Sequence, residues 1–230
     1  MKLHDGIDER LRAFIESQHL FFVATAPLAA DGHVNLSPKG LDGTFVVLGE
    51  HEVAYLDLTG SGSETVAHLR ENGRITVMFC AFEGPPNIVR LHGTGRYVAL
   101  GEAGFDAYRA LFADHAGARG VVVVDVERVS DSCGYAVPFM SHEGDRDLLT
   151  RWAGNRGDEG LATYRAEKNA TSIDGLPALD PSTPAPAPAP SGRNTPCRSQ
   201  HPGIGSRGVV TYTVCCGGGG GLSGLGEIRR

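Results

Sequence analysis

The chain has 230 residues, 41% of them hydrophobic and 21% charged, which is ordinary globular composition and enough to bury one core. A formal net charge of -6 and a pI near 5.8 exclude bulk attraction to nucleic acid or to an anionic membrane, so any anionic ligand must meet a local cluster of cations. No apolar run approaches the roughly 20 residues of a membrane span, and the N-terminal MKLHDGIDERLRAFIE is charged and helical rather than signal-like, which predicts a cytoplasmic protein.

In chain order, Ile7, Leu11, Phe14 and Ile15 recur at helical spacing and predict a short amphipathic helix over residues 7–16 that closes one end of the core. Strands then dominate: LFFVATA (20–26), HVNLSP (33–38), TFVVLG (44–49) and EVAYLDL (52–58) are short and mostly β-branched or aromatic. Two of their linkers, at 30–32 and 41–43, end in Asp-Gly and are compatible with hairpins. ITVMFCAF (75–82), NIVRLHGTGRYVAL (87–100) and VVVVDVERVS (121–130) complete six or seven strands, the number a small closed barrel needs. Between the fourth and fifth strands a helix is marked at both ends, by Ser61 and Glu64 at capping-box spacing and by Asn72-Gly73. Further helices are expected at 102–113 and, around Trp152 and Tyr164, in a helical extension over 140–177.

Composition changes after Pro177. The proline-dense DPSTPAPAPAP (180–190) sustains neither helix nor central strand, and together with the glycine run at 217–221 it predicts a disordered tail over 178–230. One domain, 1–177 with its barrel core at about 7–130, is therefore expected ahead of that tail. The five cysteines make no metal-ligand ladder: Cys197, His201, Cys215 and Cys216 match no common zinc-finger spacing, and Cys80 reads as a buried apolar thiol. No metal site is expected.

The stretch containing Thr59, Ser61, Ser63 and Thr65 combines glycines, hydroxyls and a helix start, which together offer backbone N–H groups and O–H donors to a phosphate. The same residues also suit a plain turn and cap, and Glu64 already complements the helix dipole. Lys39, after Ser37 and Pro38, and Arg90, among Ile88, Val89 and Leu91, are the cations placed to face a ligand or an ion-pair partner. His92 shares the strand face of Arg90. No catalytic acid, base or nucleophile stands out.

In order along the chain, HVNLSPKG (33–40), YLDLTGSGSET (55–65), NGRITVMF (72–79) and RLHGTGR (90–96) resemble the pyridoxamine 5'-phosphate oxidase-like FMN-binding split barrels. SCGYAVP (132–138) and KNATSIDGLP (168–177) are similar to the distal signature of one subfamily. The resemblance implies a mainly β fold, a six-stranded antiparallel split barrel, working as a homodimer with FMN in the dimer cleft. It also implies that the strand with Ser37 and Lys39 runs beside the isoalloxazine, and that Ser61, Ser63 and Thr65 lie near the phosphate. True oxidases of the family carry a basic Ser-Arg-Lys where this chain has Ser63, Glu64 and Thr65, which removes two positive charges, to be offset by Lys39, Arg70 or Arg90. The region with which those oxidases recognise the pyridoxal substrate is not visible, so vitamin B6 oxidation does not follow.

Two functions fit these readings. One is an FMN-dependent oxidoreductase acting on a small molecule, with deazaflavin as the other cofactor used in the superfamily. The other is a flavin- or deazaflavin-binding module, or a cofactor-free barrel, without catalytic activity.

Overall fold

The computed structural model describes residues 1–179. Eight strands, β1 (Lys2–His4), β2 (Phe21–Thr25), β3 (Asn35–Lys39), β4 (Phe45–Gly49), β5 (Glu52–Leu58), β6 (Arg74–Cys80), β7 (Ile88–Ala99) and β8 (Ala118–Ser132), form a single sheet. Its order is β3-β2-β6-β7-β8-β5-β4, with β1 added beside β8, and every pairing is antiparallel. All seven segments read as strands form, one more than the six of the expected split barrel; β1 is an eighth, whose three residues carry no readable alternation and which exists only by pairing with residues 129–131 of β8.

Strand alternation sends Val23, Val53, Tyr55, Val77, Leu91, Val122 and Val124 into one interior cluster to which both halves of the sheet contribute. The sheet curls far enough for Phe45 of β4 to meet Phe21 of β2 edge to face, ring centroids 5.0 Å apart. The unbroken run of Val121, Val122, Val123 and Val124 reflects burial on both faces, since Val121 and Val123 join an outer cluster with Leu56, Phe105 and Phe112. Burying such a valine stabilises by about 1.5–3 kcal/mol, so this stretch is the most sensitive part of the sheet to truncation to alanine.

Helix α1 (Glu9–Glu16) starts where Asp8 accepts the Leu11 N–H at 2.7 Å, and its Leu11 and Ile15 complete the interior cluster. Helix α2 (Glu64–Glu71) forms between the expected end signals and is capped at its C-terminus by Asn72. Its N-cap is Ser63, whose hydroxyl makes no cap bond and donates instead to the Thr171 carbonyl at 3.1 Å. Of the helix expected at 102–113 only α3 (Phe105–Arg109) forms. Helix α4 (Leu148–Lys168) is interrupted at Gly157, φ 64°, so it is two helical stretches carrying Trp152 and Tyr164, as read from the sequence.

The linker at 41–43 is not a hairpin: β3 and β4 are the two edges of the sheet, and the chain crosses between them there, with Leu41 and Gly43 both at φ 74°. Downstream, Ala178 and Leu179 are buried against Val66 and Ala67 of α2, so the folded part extends past Pro177. The remainder of the expected tail, with the proposed disorder and Cys197, Cys215 and Cys216, lies outside the described residues. Among the described residues no helix is long and apolar enough to cross a membrane.

Candidate functional site

A cavity of about 660 Å³ opens between β3, the β3–β4 connection, the end of β5 and the start of α2. That volume lies within the roughly 300–1,000 Å³ range of small-molecule and cofactor sites. β3 is an edge strand, which tolerates Pro38, and its alternation leaves Leu36 and Pro38 outward while Asn35, Ser37 and Lys39 share the half-buried face. Ser37 and Lys39 line the cavity. Across from them stand Ser63, Glu64 and Thr65.

The floor is formed by two residues that sequence reasoning missed, Asp57 and Arg119. Their position follows from a bulge: Asp57 pairs with Gly120 and Leu58 with Ala118, so Arg119 has no partner on β5 and its side chain turns toward Asp57. Arg119 Nε donates to Asp57 Oδ2 at 2.7 Å, and Nη2 donates to Asp57 Oδ1 at 3.4 Å and to the Gly62 carbonyl at 2.8 Å. Arg119 Nη1 is buried and bonds to no described residue. Lys39 Nζ lies 3.5 Å from Asp57 Oδ1, and the Tyr97 hydroxyl donates to Oδ2 at 3.4 Å. Gly120 makes room for Tyr97, because a Cβ there would collide with the phenol ring.

Burial pushes the Asp57 carboxyl up, but the Arg119 guanidinium and Lys39 outweigh it and leave Asp57 below its ordinary value. Burial likewise opposes the Arg119 charge, and Asp57 outweighs that. Next to this pair is half-buried Arg165, held below its ordinary value by burial and, among its neighbours, by the Arg119 charge. Arg165 lies just outside the lining, on Thr59, and within the lining Lys39, Arg119 and Arg146 are matched by Asp57, Glu64 and Asp145.

The expected hydroxyls divide. Thr65 accepts from Asn35 Nδ2 at 3.0 Å and Ser37 donates to Asn35 Oδ1 at 2.9 Å, so Asn35 sets the orientation of both lining hydroxyls. Thr59 is buried and outside the lining; its Oγ1 donates to the Gly117 carbonyl at 2.8 Å and accepts from Arg165 at 3.3 Å. Ser61 is exposed and also outside the lining, while Ser63 lines the cavity with its hydroxyl committed to Thr171. Arg90 is not among the residues lining this cavity: its strand position pairs with Ser130 and its Nη1 donates to Ser132 Oγ at 3.1 Å. Arg70 is exposed on α2 and is not among the lining residues either. Among the described residues no group of three His, Cys, Asp or Glu side chains could hold a metal ion.

Residues 7–133 match the profile of the pyridoxamine 5'-phosphate oxidase family. The chain belongs to that family. It is 40% identical over 194 residues to the pyridoxamine 5'-phosphate oxidase family protein ustO of Aspergillus flavus, with 76% of this chain and 77% of that one covered. Among solved structures it is similar to HupZ of Group A Streptococcus (TM-score 0.43, 21% identity, 59% of this chain and 99% of that one). It is also similar to an FMN-binding protein of Syntrophomonas wolfei (TM-score 0.39, 15% identity, 52% of this chain and 82% of that one). The family profile ends at residue 133, whereas the cavity is also lined by His142, Asp145, Arg146 and Leu149. This family member thus builds part of its cavity wall from sequence beyond the profile.

Proposed function

We propose that this pyridoxamine 5'-phosphate oxidase family protein is a cytoplasmic FMN-binding oxidoreductase acting on a small molecule, with the flavin in the cavity between β3 and the start of α2. The observation that carries this reading is Arg119: a buried cation with one nitrogen left unbonded, lining a cofactor-sized cavity beside a glycine-containing loop. A phosphate monoester supplies the acceptor oxygens and the negative charge that such a group lacks. Lys39 adds a second cation, and Thr65 and Ser37 add hydroxyls whose orientation Asn35 holds. In this reading Arg119, reaching in from β8, takes over the role of the basic pair absent at positions 64 and 65. Glu64, which lines the same cavity, opposes the phosphate and lowers the affinity.

Bound FMN would supply the electron-transfer chemistry at its ring, and the residues named here would bind it, orient it and exclude water. A homodimer belongs to the proposal. Its support is the exposure of Val34, just before edge strand β3, and of Leu36 on that strand's outer face, 73% and 64%, an apolar strip that a second copy would cover. Sedimentation at micromolar concentration tests this part, a dimer being expected and a flavin-bearing monomer contradicting it.

The visible spectrum of the purified protein, followed by turnover with NAD(P)H, tests the function. A bound-flavin band that bleaches on NAD(P)H addition and recovers with an acceptor supports the oxidoreductase. A stable band without turnover supports the second reading, a flavin- or deazaflavin-binding module, which the acidic Glu64 in the lining favours. A colourless protein that takes up neither flavin nor deazaflavin removes both and leaves the cofactor-free barrel.

A further inference from the structure

We infer that residues 165–179 act as a clamp that fixes the shape of the loop 59–63 at the cavity, with Asn169 as its central positioning residue. The clamp lies entirely outside the stretch that matches the family profile. Its contacts with the loop are numerous and specific. Asn169, fully buried at the C-terminal end of α4, donates from Nδ2 to the carbonyls of Gly60 at 2.9 Å and Ser61 at 3.3 Å. Arg165, one turn earlier, donates to Thr59 Oγ1 at 3.3 Å, and the Thr171 carbonyl accepts the Ser63 hydroxyl at 3.1 Å. Thr59, Gly60, Ser61 and Ser63 are therefore each held by this one segment.

The clamp is itself braced on three sides. The Leu179 and Ala178 N–H groups donate to the carbonyls of Asn169 and Ala170, both at 2.9 Å, which folds residues 169–179 back on themselves. Ala178 and Leu179 pack on Val66 and Ala67 of α2, directly after the loop. At the far tip Asp174 accepts the His33 N–H at 2.8 Å and contacts His33 Nδ1 at 2.7 Å, which ties the clamp to the β2–β3 connection. A loop with two glycines and an exposed Ser61 has little apolar burial of its own to define its conformation. External hydrogen bonds from a buried amide supply that definition, and they do so at the carbonyls next to Gly62, the residue whose own carbonyl receives Arg119. The motif KNATSIDGLP thereby acquires a role: it presents Asn169, turns at Gly175 with φ 77°, and returns Ala178 to α2.

The effect on ligand affinity rests on the flavin reading above, whereas the effect on the loop does not, and the experiment separates them. Asn169→Asp keeps the side-chain shape but removes both N–H donors and points an acceptor at two carbonyls. Amide hydrogen exchange is followed at Thr59 and Ala67, whose N–H groups bond to the Gly117 and Ser63 carbonyls, with β7 amides as the reference. The expected result is exchange faster by about tenfold at Thr59 and Ala67 with β7 unchanged, and FMN affinity lower by about tenfold in the folded variant. If Asn169→Asp does not fold, Ser63→Ala, which removes only the bond to Thr171, is expected to shift the same two amides by a smaller factor. Wild-type exchange at Thr59 and Ala67 in the folded variant overturns the clamp, whereas a loosened loop with undiminished FMN affinity upholds the clamp and overturns its link to the flavin. Should the wild-type protein take up no FMN, the flavin reading falls, and the exchange comparison alone decides for or against the clamp.

Discussion

Arg119 and Asp57 meet across a strand bulge at the floor of the cavity, Nε 2.7 Å from Oδ2, with both side chains only 4% exposed. A buried pair of this kind contributes modestly to net stability, because desolvation of both ions offsets most of their attraction, but removal of one partner strands the other charge. What distinguishes this pair is the remaining donor: Asp57 and Gly62 occupy Nε and Nη2 and leave Nη1 unbonded. The pair therefore leaves one guanidinium nitrogen without an acceptor among the described residues.

Arg119→Gln alone is expected to destabilise the protein by about 3–5 kcal/mol, since Asp57 stays buried without its main partner. The double variant Asp57→Asn, Arg119→Gln removes both charges and is expected to recover most of that loss while weakening FMN binding by about 1.5–3 kcal/mol. Arg90→Ala is expected to leave FMN affinity at the wild-type level, because its guanidinium is engaged at Ser132 away from the cavity. Denaturant unfolding and flavin fluorescence titration of the three variants check this. Loss of FMN affinity in Arg90→Ala with full affinity in the double variant would reverse the assignment.

His68 gives the fold an acid-sensitive element. Its ring is fully buried on the inner face of α2, with Nδ1 2.9 Å from Thr25 Oγ1, and burial holds its pKa below the ordinary 6.5 despite the acidic groups nearby. The unfolded chain takes up this proton near pH 6.5 and the folded chain only at lower pH, so stability contributed by the neutral ring declines as pH falls below 6.5. Exposed His33 behaves oppositely, since its hydrogen bond to Asp174 raises its pKa and its contribution fades as pH rises through that raised value. Ring-resonance NMR across pH 5–8 is expected to show His68 titrating below 6.5 and His33 above it. His68 titrating at or above 6.5 would mean the ring is not buried as described.

The end of the folded part can be located by truncation. A chain ending at Leu179 keeps Ala178 and Leu179 packed on Val66 and Ala67, and a chain ending at Pro177 loses both. The shorter form is expected to be less stable by about 2–4 kcal/mol, from lost apolar burial and the two backbone hydrogen bonds. Equal unfolding midpoints for the two forms would place the boundary at Pro177 after all.

Much of the barrel was legible in the sequence because its strands are β-branched or aromatic, and their alternation survives in the burial of β2 and β3. Lys39 and Ser37 were legible for the same reason, since period-two spacing puts them on one face. Asp57 and Arg119 carried a signal too, a charge flanked by Leu56 and Leu58 in one strand and an Arg separated by one glycine from a run of valines. Their pairing depends on a register shift between β5 and β8 that no local pattern encodes, and Arg90 among its apolar neighbours presents a similar local pattern. The commitment of Thr59 and Ser63 to Arg165 and Thr171 was hidden for a related reason: the partners lie more than 100 residues downstream.

The central claim is that the cavity holds a flavin by its phosphate, through Arg119. Parallel titration of the wild-type protein and the Asp57→Asn, Arg119→Gln variant with FMN and with riboflavin, which lacks the phosphate, tests it most directly. The account predicts that the wild-type protein prefers FMN by at least about tenfold and that the variant binds the two flavins equally. An FMN preference that survives in the variant, or equal binding of both flavins by the wild-type protein, would contradict it.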